Sequence, residues 1–145
     1  MNARPIAYWT TTGFLAFAMV SGGIGELLRS WGTLETITIL GYPPYFLSVI
    51  GIWKIVGSVA ILVPGLPRVK EWAYAGMFFN MTGAFISHAS VGDFGPNAFH
   101  LIATGSLALI VIASWALRPQ DRTLAVRPQP VKLGSAAAAT DPALA

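Results

Sequence analysis

The chain has 145 residues, 54% of them apolar and only 10% charged, with a net charge of +3. A soluble domain usually carries about a quarter charged residues, so much of this surface must face something other than water. The absence of cysteine excludes thiol–disulfide exchange by the chain itself, including a four-helix disulfide-forming enzyme built on a Cys pair, and thiolate ligation of zinc, copper or an iron–sulfur cluster.

Four apolar stretches follow one another, at Ile6–Leu28, Tyr45–Val63, Trp72–Val91 and Ala98–Leu117. Each is close to the ~20 residues with which a helix crosses a ~30 Å hydrocarbon core. They lack period-2 alternation and exceed the length of a barrel strand. Without water, backbone groups must bond within their own segment, which helices do. The first run is longer than a signal-peptide core and has no convincing small-x-small cleavage site, so it is expected to be a retained helix.

Between the first two runs, Thr33–Leu40 places Leu34, Ile37 and Leu40 on one side and predicts a short helix resting on the outer surface. Gly41-Tyr42-Pro43-Pro44 then opens the second run, and Pro64-Gly65-Leu66-Pro67 is expected to stop it. Gly92 to Asn97 divides the third and fourth runs, and Arg118-Pro119 closes the last. Residues 119–145, rich in Ala and Pro, predict a disordered tail behind a single domain at 1–118.

The basic residues set the orientation. Arg4, Arg68, Lys70, Arg118, Arg122, Arg127 and Lys132 fall on one side of the runs and Arg29 alone on the other. By the positive-inside rule the first side is cytoplasmic. The expected fold is an all-α integral membrane four-helix bundle with both termini in the cytoplasm, multi-pass in the inner (plasma) membrane. Trp9, Trp72 and Trp115 lie at the cytoplasmic face and Trp31, Tyr42 and Tyr45 at the other, as interfacial belts do. Basic residues confined to helix ends form no patch with interleaved aromatics, which excludes nucleic acid as a partner.

Ionisable groups inside spans are candidates for function. At 1.5 Å per residue Lys54 lies roughly 13 Å below the outer end of its helix, near the midplane, with Asn80 at a similar depth. Glu26, His88 and His100 lie within about two turns of the outer surface, and Arg29 and Asp93 just above them. Lys54 shares a face with Gly51, Gly57 and Ser58, and Asn80 with Gly76, Gly83, Ala84, Ser87 and His88. Small residues let membrane helices approach closely, so these faces are expected to point inward, toward a pocket open to the outer side.

Lys54 at midplane depth is poorly placed to snorkel and is expected to have an interior partner. Asn80 is the nearest by depth, whereas Glu26 would require both side chains to stretch. Glu26 and Arg29, three apart, read as an ion pair at a helix end. His88 and His100 flank one short loop. As a metal site they would need Glu26 or Asp93 as a third ligand, and hydrogen bonding or proton relay is the stronger reading, with no metal. Ser21 to Gly25 is a packing face without the preceding strand of a phosphate loop.

Several stretches together resemble the DoxX-like family of small bacterial membrane proteins. They are Leu40-Gly41-Tyr42-Pro43, the run Gly51-Ile52-Trp53-Lys54-Ile55-Val56-Gly57, Leu62-Val63-Pro64, Lys70 to Gly76, and Gly83-Ala84 with Ser87-His88 and Gly92-Asp93. The resemblance covers most of residues 8–117, and it is the ordered combination that is specific. It implies a four-helix membrane bundle, and it carries Lys54, His88 and Asp93 over as positions inside matching motifs. The family takes its name from a subunit linked to thiosulfate:quinone oxidoreduction, and some relatives are associated with redox-stress complexes. Any thiol chemistry of relatives does not transfer to a chain without cysteine.

The candidate ligand-binding or proton-relay residues are therefore Glu26, Lys54, Asn80, His88, Asp93 and His100, with no catalytic residue assigned. The leading expectation is a redox or quinone-linked membrane subunit, with quinone as the cofactor, the lipid bilayer as its surroundings, and a redox partner protein or further copies of the chain as partners. The alternatives are a non-catalytic assembly partner, in which the polar groups only fasten helices, and a small proton or solute transporter. The lack of a recognisable inverted repeat counts against the transporter.

Overall fold

A computed structural model describes residues 3–95 and 98–124. Among them every regular element is helical: α1 (Ala3–Leu27), α2 (Thr33–Ile39), α3 (Tyr45–Leu62), α4 (Pro67–Ser90) and α5 (Phe99–Ala116), followed by a 3₁₀ turn at Gln120–Arg122. α3 and α5, 18 residues each, are long and apolar enough to cross a membrane. α1 and α4 are longer, at 25 and 24 residues, and more polar.

The four long helices neighbour one another in a ring, α1 to α3, α3 to α4, α4 to α5 and α5 to α1. The tightest seam is α1–α3. A Cβ added to Gly23 would stand 2.8 Å from the Gly51 carbonyl oxygen, and one added to Gly51 would stand 2.8 Å from that of Gly23. Only glycine at both positions lets the two backbones meet. Gly76 and Gly83 behave differently, since an added Cβ at either meets nothing within 4 Å. The small face of α4 thus borders open space instead of a tight helix contact.

Turns follow the breaks in the sequence. The Pro64–Pro67 cluster closes α3, and its last member, Pro67, has a second role. It is the first residue of α4, where a missing N–H costs nothing, and α3 has ended by Val63. α2 forms where expected and buries Ile37. Before it the chain turns through Trp31 at φ 56°, which brings the indole against α1. A Cβ at Gly25 would lie 2.5 Å from that ring.

The interior is small and the outside is greasy. Leu15, Met19, Ile61, Met77, Met81 and Val111 centre the apolar core, while Phe17, Trp72, Phe79 and Leu109 are each 68–80% exposed. Thr12, Ser58, Lys70 and Ser114 are fully buried. This inverts the usual distribution of a soluble domain, in which Lys is almost never fully buried, and so wide an apolar surface requires an apolar surrounding.

The start of α1, the α3–α4 turn and the end of α5 share one end of the molecule, as the spacing of the basic residues requires. Arg4 Nη2 donates to the Ala116 carbonyl at 3.4 Å, and Arg118 Nη2 to Glu71 Oε1 at 2.7 Å. The first residues of the segment beyond residue 118 include the 3₁₀ turn at Gln120–Arg122. Arg122 donates to the carbonyls of Ile61 and Leu62 at 3.2 and 3.3 Å and lies 4.6 Å from the Trp9 ring centroid. Those contacts satisfy carbonyls left over at the end of α3 and hold the turn down. Residues 125–145, including Arg127 and Lys132, lie outside the described residues.

Candidate functional site

The polar groups fall into two sets, one at the basic end and one toward the α2 end. At the basic end, Lys70 is fully buried and its ammonium donates to the carbonyls of Ala60, at 2.8 Å, and Val63. A helix leaves its last carbonyls unpaired and carries partial negative charge there, so a cation aimed at the C-terminus of α3 answers both needs. Beside it, Thr12 and Ser114 hydroxyls stand 2.7 Å apart and Tyr74 bonds Ser114 at 2.8 Å, joining α1, α4 and α5. Glu71 accepts from Trp115 Nε1 and Arg118. None of this set was a functional candidate from the sequence, in which Lys70 and Arg118 read only as orientation signals and Trp115 as part of an interfacial belt. Lys70 and Glu71 lie near the start of α4, where charge is ordinary, and nothing in their spacing announces burial.

Toward the α2 end, Lys54 of α3 pairs with Glu26 of α1, and both side chains are only 11–13% exposed. Two sequence expectations are corrected here. The partner of Lys54 is Glu26 and not Asn80, because the Gly23–Gly51 contact draws α1 and α3 so close that neither side chain has to stretch far. Glu26 therefore does not pair with Arg29, which is exposed in the turn after α1 at φ 51°. Gly22 leaves room for the ammonium, its added Cβ lying 3.9 Å from Lys54 Nζ. The second carboxylate oxygen, Glu26 Oε2, is buried with no hydrogen-bond partner among the described residues. A buried ionised oxygen without a donor is costly.

Above this pair, His88 near the end of α4 is buried, and its Nδ1 lies 2.8 Å from Asp93 Oδ2. Gly92 makes the pair: at φ 75° it ends the helix and turns the chain so that the Asp93 amide reaches the His88 carbonyl at 3.1 Å. In the tautomer whose Nδ1–H donates to the carboxylate, Nε2 is left as the ring's acceptor. The exposed His100 of α5 stacks flat on His88, with centroids 4.8 Å apart and planes 3° from parallel. No group of three or more metal-ligating side chains forms among the described residues.

These groups share a wall. A cavity of about 360 Å³ is bordered by Glu26, Lys54, Asn80, His88 and His100 together with Leu47, Phe79 and Met81. α2 and the turn before it border the cavity with Trp31, Thr36 and Ile37. Of the six candidate residues five line this cavity. Asp93 does not, and reaches it only through His88. Asp93, His88, His100 and Thr36 border a second space of about 460 Å³ on the α2 side, so His88 and His100 belong to the partition between the two. Chemically the cavity wall offers donors from Lys54 and Asn80, the carboxyl group of Glu26 and an imidazole around an apolar space.

No curated protein and no solved structure matches the chain. The model of the DoxX-like family matches residues 10–114, which takes in the Glu26–Lys54 pair, the His88–Asp93 pair and the cavity between them, and the chain therefore belongs to this membrane-associated family.

Proposed function

We propose that the chain is a multi-pass inner-membrane protein whose α1, α3, α4 and α5 cross the bilayer as a four-helix bundle, and that its cavity holds the ring of a quinone in a redox-linked membrane subunit. The membrane part is supported by the exposed aromatic and aliphatic residues around buried polar ones, and by the four basic side chains Arg4, Lys70, Arg118 and Arg122 gathered at one end. By the positive-inside rule that end faces the cytoplasm. Because the chain has no cysteine, single-cysteine variants label without background. Cysteines at residues 42 and 94 are expected to react with an impermeant maleimide from outside, and cysteines at residues 66 and 121 only after lysis. The reverse pattern contradicts the orientation.

The ligand part rests on one observation: Glu26, Lys54, Asn80 and His88 line a single apolar cavity, and Glu26 keeps one buried carboxylate oxygen without a partner among the described residues. Its volume lies at the lower end of the range for small-molecule sites, ~300–1,000 Å³, a fit for one ring. Lys54 and Asn80 would hold a ring carbonyl. Glu26 and His88 are placed to take up or give a proton there, with Asp93 fixing the imidazole. A bound quinone would supply the two-electron chemistry. The electrons come from a partner protein, since the chain has no thiol couple of its own. Titration with a benzoquinone is expected to quench tryptophan emission, Trp31 being in the cavity wall, and Lys54→Met is expected to abolish the quenching. Absence of quenching in the native chain removes this reading.

A second reading, a non-catalytic assembly subunit, is favoured by one observation. Glu26–Lys54 bridges α1 and α3 directly beside the Gly23–Gly51 contact, where an ion pair also fastens helices. Under it, Lys54→Met loosens the fold and there is no ligand binding to lose.

A further inference from the structure

A second cavity lies beside the first and shares three wall residues with it. About 360 Å³ of cleft runs between α3 and α4 from Ile50, Lys54 and Asn80, which border both spaces, to Ala60 and Val69 near the basic end. Ten residues of α3, from 50 to 60, make it about 15 Å long, half of the ~30 Å hydrocarbon core. Below Asn80 its walls carry no charged side chain. Gly76 keeps it open, an added Cβ there meeting nothing within 4 Å, whereas one at Gly57 would stand 3.2 Å from Met77 Cε. Its lips, Trp53 and Trp72, are 67% and 80% exposed, so the cleft opens sideways along the helices.

We propose that this cleft is the lane for the hydrocarbon tail of the molecule whose ring sits beside Glu26, Lys54 and His88, so that the ligand is a long-tailed quinone entering laterally from the lipid. This rests on the quinone reading and names its class. Three features select a single chain as the occupant. Ile50, Lys54 and Asn80 border both spaces, so head and tail sites adjoin. The cleft's length matches one leaflet's depth. The polar groups crowd one end only, and an amphiphile with its head at that end satisfies both parts.

The test compares a decyl-substituted benzoquinone with the same ring lacking the tail, by tryptophan quenching of the full chain in one detergent. A tail leaving a micelle gains packing and not escape from water, and micelle partition also favours the longer ligand. The decisive quantity is therefore the native-to-variant ratio for each ligand. Gly76→Leu, which fills the cleft, is expected to weaken the decyl compound roughly tenfold while moving the ring alone less than about twofold. Val56→Trp, filling the cleft from the α3 side, is expected to do the same and guards against a folding defect in either variant. If the ring binds and the decyl advantage survives both variants, the tail lies elsewhere, and the lane is overturned while the quinone reading stands. If the native chain binds neither compound, the quinone reading fails and the lane falls with it. If a ringless dodecyl phosphocholine removes the decyl advantage without displacing the ring, the lane takes lipid chains and the proposal is overturned.

Discussion

The two ends of this molecule bury charge in opposite ways. At the basic end Lys70 and Arg122 are spent on the carbonyls that close α3, Glu71 is held by Trp115 and Arg118, and the Thr12–Ser114–Tyr74 hydroxyls bond one another. Apart from Arg118 Nη1, the polar atoms there are consumed by the fold, and this set lines none of the cavities described above. Toward α2, the Glu26–Lys54 pair and His88 line open volume, and one buried carboxylate oxygen of Glu26 has no partner among the described residues. Burial of a charge does not by itself mark a working site. What separates the ends is whether the buried group has used up its bonding capacity.

The comparison predicts opposite phenotypes. The largest stability effect is expected from Lys70→Met, which strips two helix-terminal carbonyls of their cation. Loss of about 3 kcal/mol or more is expected, measured by denaturation in detergent, and a loss under ~1 kcal/mol would break the assignment of Lys70 to the fold. Removing both members of the outer pair, Glu26→Gln with Lys54→Met, is expected to cost less, about 1 kcal/mol, because no unpaired charge remains, yet to abolish quinone quenching. Tyr74→Phe breaks one buried hydrogen bond and is expected to cost about 1 kcal/mol without changing ligand affinity. The smallest stability change, within ~0.5 kcal/mol, is expected from Asp93→Asn. It leaves the cavity intact and should slow proton-coupled turnover with a partner while ring affinity persists, which sharpens the difference between holding a ligand and moving a proton.

The helices were legible in the sequence because apolar runs and Pro/Gly breaks report on solvent and on backbone donors, the same forces that build them. Even α2 was readable from Leu34, Ile37 and Leu40. The site was legible in part. Depth along a helix placed Lys54, Glu26 and His88 in one half of the molecule. Depth says nothing of how far apart two helices stand, and that distance, set by Gly23 against Gly51, chose Glu26 over Asn80 as the partner of Lys54. The glycines of α4 carried the opposite meaning, space instead of contact, and composition does not distinguish the two. Lys70 and Arg122 were hidden for another reason. Near helix ends a basic residue normally reads as an orientation signal, and its second use as a cap on another helix is a tertiary fact.

The most direct measurement is the quinone content of the chain purified from its native membrane, beside the Lys54→Met variant, with circular dichroism on both. The account predicts a long-tailed quinone approaching one per native chain, strongly depleted in a variant that remains helical. No quinone in the native protein, or the same amount retained without Lys54, would contradict it.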